Sequence, residues 1–372
     1  MAALELDGAN ELGEPYEAWK MRQDELARYP KERLHLVLVV GAKGCGKTRL
    51  LNGVARQAAA VGNPRKFGVV LRGVKPDDWP SAVPVATLND GAESCACCDS
   101  GEFAEAVGVA ARAGAEILAV ECDGASEVDR LIAAARPLAG TVAVAAVAAP
   151  SAFEDSFSSK KRARGARRHV VDVLVEQIEA ADVVLTYDGA PWLADLCAAL
   201  APRAVLADAT DAAAAAAALT APWNRAEAPF SGVGRSLRRP GGDGGGLGAW
   251  AYTRSDRPFH PGRLVDAFVK RLPVSAPGEA LATARGGGQA AADGTALNGL
   301  LRCRGIVWIS ADTRFSLSHS GSHVTLDEAS PPAWGGDPRT DLHFVGAAKS
   351  EAAIAAILDA CLLTEAEYAA CF

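Results

Sequence analysis

The chain of 372 residues holds two methionines, and aromatic residues make up only 6% of it. Its core must therefore come mainly from aliphatic side chains and alanine. Hydrophobic residues reach 49%, enough for a sizeable core, although each alanine contributes little burial. No apolar run approaches the roughly 18 residues of a membrane span, so no membrane partner is expected. Positive charge is in deficit. Lys and Arg number 38 against 45 Asp and Glu, giving a net charge of −7 and a pI near 5.5. That excludes a general nucleic-acid binder, because phosphate backbones require a basic face. The first 30 residues carry many acidic groups and no apolar core. They resemble neither a secretory signal nor a transit peptide, so a cytoplasmic location is expected, with organelles left open. In such a compartment nine cysteines point to thiol, metal or redox chemistry and not to a disulfide framework. The six histidines are scattered. His35 reads as an ordinary strand residue; His319 and His323 have no third ligand nearby in sequence and read as surface residues.

What is present starts at the apolar run Leu34–Val40, which leads into Gly41-Ala-Lys-Gly-Cys-Gly-Lys-Thr48. This fits G-x-x-x-x-G-K-[ST] without a mismatch, and Thr48-Arg-Leu-Leu-Asn52 opens a helix after it. Strand, loop and helix form the context the pattern needs. Glycine lets backbone amides approach phosphate oxygens, and the helix N-terminus adds partial positive charge. In this pattern Gly41, Ala42, Lys43, Gly44, Cys45 and Gly46 cradle phosphates, Lys47 reaches the β/γ-phosphates and Thr48 holds magnesium. Nucleotide binding is the strongest functional statement the residues make.

From Leu34 the sequence alternates strand and helix. Strands are expected at 67–71, 116–121, 141–147, 182–185 and 204–206, with helices at 101–113, 128–135, 169–180 and 192–200. Such alternation predicts an α/β domain with a mostly parallel sheet, with ligands beyond the carboxyl ends of its strands. The boundaries expected are a polar extension over 1–30, a nucleotide-binding domain over 31–213, a flexible linker over 214–246 and a small α+β domain over 247–372. Within the last, 273–294 is rich in Gly and Ala and reads as a disordered insertion.

Two further motifs carry chemistry. Cys95, Cys97 and Cys98 lie about 50 residues beyond Lys47. Three thiolates can converge on one zinc ion and leave a fourth position open. Redox switching or plain burial remain alternatives on spacing alone. Glu121 ends a buried strand and is followed by Cys122-Asp-Gly124. A carboxylate at a strand tip near a phosphate loop suits a magnesium–water shell, with Asp123 competing for the role and Gly124 offering an amide to a γ-phosphate. The basic run Lys160–Arg168 reads as solvated surface.

Taken together these residues resemble the CobW family of P-loop GTPases linked to metal handling. The resemblance runs from about Leu34 onward, through Gly41–Thr48, Cys95-Ala-Cys-Cys98, Glu121-Cys-Asp-Gly124 and Gln177-Ile-Glu-Ala-Ala-Asp-Val-Val184. It continues through Arg257-Pro-Phe-His-Pro-Gly-Arg263, Leu301–Trp308, Phe344-Val-Gly346 and Leu358–Thr364. It implies a GTP-dependent metallochaperone using Mg2+, with zinc on the cysteine triad passed to a client protein. Lys47, Thr48 and Glu121 would be its catalytic residues. Alternatives are a non-hydrolysing nucleotide- and metal-binding regulator, or a cobalt-handling assembly factor. The departures are specific. Where the family's guanine-specifying N-K-x-D should stand, the sequence reads Tyr187-Asp-Gly-Ala190. The missing carboxylate should cost preference for GTP over ATP about 3 kcal/mol at most, the scale of a charged hydrogen-bond pair. Arg72-Gly-Val-Lys75 replaces an Asn-Glu pair, and Ser94 replaces the glycine before the triad.

Overall fold

The computed structural model describes residues 31–73, 75–88, 100–163, 168–187, 190–221, 246–286 and 296–371. The polar extension, most of the expected linker, Asp188 and the triad Cys95, Cys97 and Cys98 lie outside the described residues. The described residues fall into two compact units. One forms within Met1–Val147 and Ala207–Ala226, the other within Ala148–Leu206 and Glu227–Phe372.

The nucleotide-type sheet contains β1 (His35–Val40), β2 (Phe67–Arg72), β3 (Val85–Leu88), β4 (Ile117–Glu121), β5 (Thr141–Ala148), β6 (Val183–Thr186) and β7 (Val205–Asp208). Their order is β3-β2-β4-β1-β5-β6-β7. β1 is central, paired in parallel with β4 on one side and β5 on the other. Five of its six residues are buried, as expected of a strand covered on both faces. The expected parallel α/β architecture is therefore present. The expected strands are all found within a residue or two, and β3 is one the sequence reading missed. It is short, and only alternate residues, Ala86 and Leu88, are buried.

Helices follow the strands. α1 (Lys47–Ala60), α2 (Ser100–Arg112), α3 (Val128–Ala135), α4 (Pro150–Phe157), α5 (Val170–Glu179), α6 (Pro191–Leu200) and α7 (Ala212–Leu219) alternate with them. Apolar residues at helical spacing explain which faces are covered: Leu50, Leu51, Val54 and Ala55 on α1, and Val128, Leu131, Ile132 and Ala135 on α3. Ordered structure extends past the expected boundary at 213. Asp211 caps α7 by accepting from the amides of Ala213 and Ala214, and Leu219 is buried at its far end.

The second unit carries an antiparallel sheet of β8 (Leu247–Arg254), β9 (Leu300–Trp308), β10 (Arg314–Ser320), β11 (His323–Glu328) and β12 (Thr340–Ala347), ordered β11-β10-β9-β12-β8. With it go α8 (Pro261–Ala267), α9 (Pro277–Gly286), α10 (Glu351–Asp359) and α11 (Glu365–Cys371). Its core gathers Trp250, Phe259, Phe268, Leu342, Phe344, Ile354 and Leu358. α9 corrects the expectation of a disordered insertion over 273–294. Glycine and alanine dominate its composition, yet Ala280, Leu281 and Ala284 form a buried stripe. Arg285 then anchors the end, donating to Glu154 at 2.5 Å with its guanidinium 3.4 Å over the Trp192 ring. Residues 287–295 lie outside the described residues.

His319 is likewise not a surface residue: it is fully buried, and burial pushes it down to about 3, so it is neutral. His323 is partly covered. It stacks on His169 with ring centroids 3.8 Å apart, and its Nδ1 lies 2.7 Å from Asp172 Oδ2. Beside them a buried ion cluster ties α5 to the antiparallel sheet. Glu179 accepts from Arg302 Nε at 2.8 Å and Nη2 at 3.1 Å, and from Arg304 Nη1 at 2.6 Å. The remaining donor of Arg302, Nη1, reaches Ser318 Oγ, Ser320 Oγ and the His319 carbonyl. Burial alone would raise the Glu179 pKa, but the two guanidinium groups outweigh it and hold the carboxyl at about 2.

Replacing Glu179 by Gln leaves two cations short of their counter-charge and should cost about 3–5 kcal/mol in urea denaturation at neutral pH. The pKa of Glu179 is depressed by folding, so its contribution is complete above its ordinary value of 4.5 and fades as pH falls toward about 2. The difference between the two proteins should shrink over that window.

Candidate functional site

The site is built where β1 ends between two parallel neighbours. Pairing places Val39 opposite Glu121, so the tip of β4 stands beside the loop that leaves β1. The loop turns through positive φ at Gly41 (139°), Gly44 (83°) and Gly46 (92°). At Gly41 a side chain would be excluded twice over, since a Cβ there would sit 2.3 Å from the Val147 carbonyl oxygen. The first helical hydrogen bond of α1 runs from the Leu50 amide to the Gly46 carbonyl at 2.9 Å. Ala42 and Cys45 are buried beneath the loop, while Lys43 and Gly44 are exposed at its crest.

Lys47 is buried, and its ammonium donates to the carbonyls of Gly41 at 2.8 Å and Ala42 at 3.1 Å. Thr48 Oγ1 donates to Glu121 Oε1 at 2.7 Å. The other oxygen of Glu121 accepts from the Arg72 amide at the end of β2, at 3.3 Å. Asp123 takes a different role. It accepts from the Ala125 amide at 2.7 Å in its own turn and lies 3.6 Å from Arg72 Nη2. Of the two carboxylates weighed for magnesium, Glu121 is thus the one joined to Thr48. Gly124 abuts the loop: a Cβ there would lie 2.8 Å from the Lys43 nitrogen. Gly41 to Thr48, Glu121 and Gly124 accordingly gather at one corner of the sheet.

Arg72 is the residue whose place here the sequence reading missed. It appeared only as a replacement for the Asn-Glu pair, whereas both its amide and its guanidinium face the Glu121–Asp123 turn. No motif encodes this; it follows from β2 lying beside β4. Cys45 and Cys122 are buried thiols near Lys47. Burial raises both, Cys122 to about 12, against the opposing pull of the lysine. Tyr187, standing where the guanine motif should begin, is buried after β6 with its amide donating to the Ala148 carbonyl at 2.9 Å. Among the described residues no group of three His, Cys, Asp or Glu side chains is arranged to hold a metal ion. No described helix is long and apolar enough to cross a membrane.

The corner fits a triphosphate with magnesium. Three glycines at positive φ shape its loop, with the Lys47 ammonium on the loop carbonyls and the Thr48 hydroxyl paired with the Glu121 carboxylate.

Residues 249–362 match the family model described as the cobalamin synthesis protein cobW C-terminal domain. That span takes in β8 to β12 and α10, and with them the C-terminal motifs on which the resemblance to CobW proteins rested. No curated protein matches the chain. Among solved structures it is similar to the Zn(II)-bound YjiA GTPase from E. coli, at 14% identity over 88% of this chain and 98% of that one, with a TM-score of 0.33. It is also similar to the hydrogenase maturation factor HypB from Archaeoglobus fulgidus, at 18% identity over 52% and 89%, TM-score 0.35. A third likeness is to HypB from Helicobacter pylori in complex with nickel, at 16% identity over 54% and 88%, TM-score 0.33.

Because Cys45 and Cys122 are enclosed and held as thiols, iodoacetamide at pH 8 should alkylate them at least about tenfold more slowly in the folded chain than in urea. Peptide mass mapping would read this; equal rates would contradict the burial. A Gly124→Ala change should push the Lys43 backbone outward and weaken nucleotide binding about tenfold or more while the far-UV spectrum stays unchanged.

Proposed function

We propose that the chain is a nucleotide-dependent metal-handling protein of GTPase type, which passes zinc to a client protein. The observation that carries the nucleotide half is the hydrogen bond from Thr48 to Glu121 at 2.7 Å beneath a loop of left-handed glycines. A hydroxyl and a carboxylate at adjacent strand ends are the ligand pair that a magnesium–water shell needs. The metal half is supported by Cys95, Cys97 and Cys98 in sequence and by the cobW C-terminal domain match.

In this reading the loop amides and Lys47 bind the phosphates. Lys47 would exchange its contacts with the Gly41 and Ala42 carbonyls for phosphate oxygens, so the same cation serves both states. Thr48 and Glu121 would hold magnesium, which when bound neutralises developing phosphate charge. Glu121 would also be the carboxylate that orients the attacking water, and Gly124 would offer its amide at the γ-phosphate end. Zinc is the cargo, held by the three thiolates in an open set, and nucleotide state changes its retention.

A second reading rests on particular residues. Tyr187 and Ala190 stand where a guanine-binding Asn and Asp are expected, and Arg72 where a switch pair is expected. A chain that binds nucleotide and zinc but turns over little is consistent with those changes.

The test is one set of titrations of GTP and ATP, with and without zinc, on the wild-type chain, Lys47→Ala and Cys97→Ser/Cys98→Ser. Zinc should alter nucleotide affinity, and nucleotide should alter zinc affinity by the same factor, as linkage requires. Lys47→Ala should lose about tenfold or more in nucleotide affinity. GTP should exceed ATP by less than about a hundredfold, since the carboxylate that reads guanine is absent. Zinc affinity indifferent to nucleotide would overturn the coupling. Turnover no higher than in Lys47→Ala, with coupling retained, would select the second reading.

A further inference from the structure

The antiparallel sheet has two faces with different duties. Strand register puts Cys303, Val307, Leu317, Leu342 and Phe344 on one face, where all are buried in the core. Alternate residues occupy the other face: Arg302, Arg304 and Ile306 on β9, Arg314 and Ser316 on β10, Asp341 and His343 on β12. One end of that face is taken, because Arg302 and Arg304 are spent on Glu179. The other end is not. There Ile306, Arg314 and Asp341, with the segment carrying Trp334, Asp337 and Arg339, line a cavity of about 530 Å3. That volume suits a small ligand or a few residues of peptide.

The lining holds binding groups that the fold leaves unused. Arg314 is partly buried, and among the described residues its Nε has no hydrogen-bond partner. Arg339 is exposed and makes no hydrogen bond or ion pair among the described residues; its only partner is Asp341, at the level of charge attraction. Trp334 fixes its indole N–H on the Ser310 carbonyl at 3.3 Å, which leaves the ring as apolar wall. Tryptophan and arginine together are the residues that most often carry binding energy at protein surfaces.

The charges narrow the ligand. Two guanidinium groups match a planar carboxylate in paired hydrogen bonds. Asp337 and Asp341 on the same lining disfavour a dianion such as a phosphate ester, and offer acceptors to N–H groups. The contact of His343 Nε2 with Asp341 Oδ1 at 3.3 Å helps to keep Asp341 ionised. A monoanionic carboxylate, an apolar group and N–H donors on one short scaffold describe a peptide. We infer that this cavity docks a carboxylate-bearing peptide segment of a partner protein. The carboxylate lies on Arg314 and Arg339, and a neighbouring apolar side chain lies on Trp334 and Ile306.

The inference does not rest on the nucleotide reading, and its test uses neither nucleotide nor metal. The full chain is applied to an array of random five-residue peptides with capped ends and a central Glu, to the same set with central Gln, and to Gln peptides with a free terminal carboxylate. Binding should favour one of the carboxylate sets over capped Gln by about tenfold or more, and which set wins separates a side-chain acid from a chain end. Arg314→Gln/Arg339→Gln should abolish that preference, and Trp334→Ala should weaken binding of peptides with bulky apolar neighbours. Both variants alter surface groups outside the core, and a thermal melt within a few degrees of wild type will confirm that they fold. Equal binding of Glu and Gln peptides, no binding at all, or a preference that survives the double arginine variant overturns the proposal.

Discussion

The first unit depends on one hydrogen-bonded carboxylate. Glu121 is 6% exposed at the tip of β4, and an ion so enclosed is tolerated only where donors meet it. The Thr48 hydroxyl supplies one oxygen and the Arg72 amide the other. Those donors come from the start of α1 and the end of β2, so the carboxylate ties three neighbouring elements into one corner. The parallel register of β1 with β4 puts it there. Slip that register by one residue and Glu121 would point to the other face of the sheet. The glycines of the loop then serve a second geometric demand, which is to let Val147 and Lys43 approach backbone that no side chain could share.

The second unit solves a similar problem with opposite signs. Arg302 lies on the sheet face opposite the apolar core, and it is buried because α5 covers it. All three nitrogens of its guanidinium are engaged, two on Glu179 and the third on Ser318, Ser320 and the His319 carbonyl. Such dense pairing makes a buried ion pair tolerable, and it also fixes orientation, since a planar fork accepts few arrangements. These contacts join the strands from 300 to 320 to the helix ending at Glu179. The same grouping shows in the division into units: residues from 148 to 206 fall in one unit with residues 249–362, although they alternate strand and helix like the residues before them.

Most of the first sheet was legible because its signals are local. β1 is apolar from Leu36 to Val40, its loop matches a motif with fixed spacing, and Glu121 closes a five-residue strand. β3 was missed because four residues with alternate burial leave little pattern to read. α9 was misjudged because composition weighs glycine and alanine as disorder, while the spacing of Ala280, Leu281 and Ala284 places them on one stripe. His319 was misjudged for a different reason. Its burial comes from lying beneath strands and helices distant in sequence, and nothing within five residues announces that. The same holds for Arg72, whose partners are set by sheet order alone. Of the proposed metal site, the three thiols were read from spacing and lie outside the described residues, so that half of the reading still stands on sequence.

The contrast between loop and base motif bears on how such a site could work. Everything that would grip phosphate is present and mutually supported: left-handed glycines, a buried lysine, and a threonine joined to a carboxylate. What would read the base is altered, with a buried tyrosine after β6 and alanine at the start of α6. Phosphate contacts are charge-assisted and contribute most of the affinity, whereas base contacts decide between similar nucleotides. On the proposed reading, a chain altered in this way would keep the strong interaction and relax the selective one. On that reading, switching would be driven from the phosphate end, through the carboxylate shared by Thr48 and Arg72, because that is where the nucleotide-dependent charge would appear.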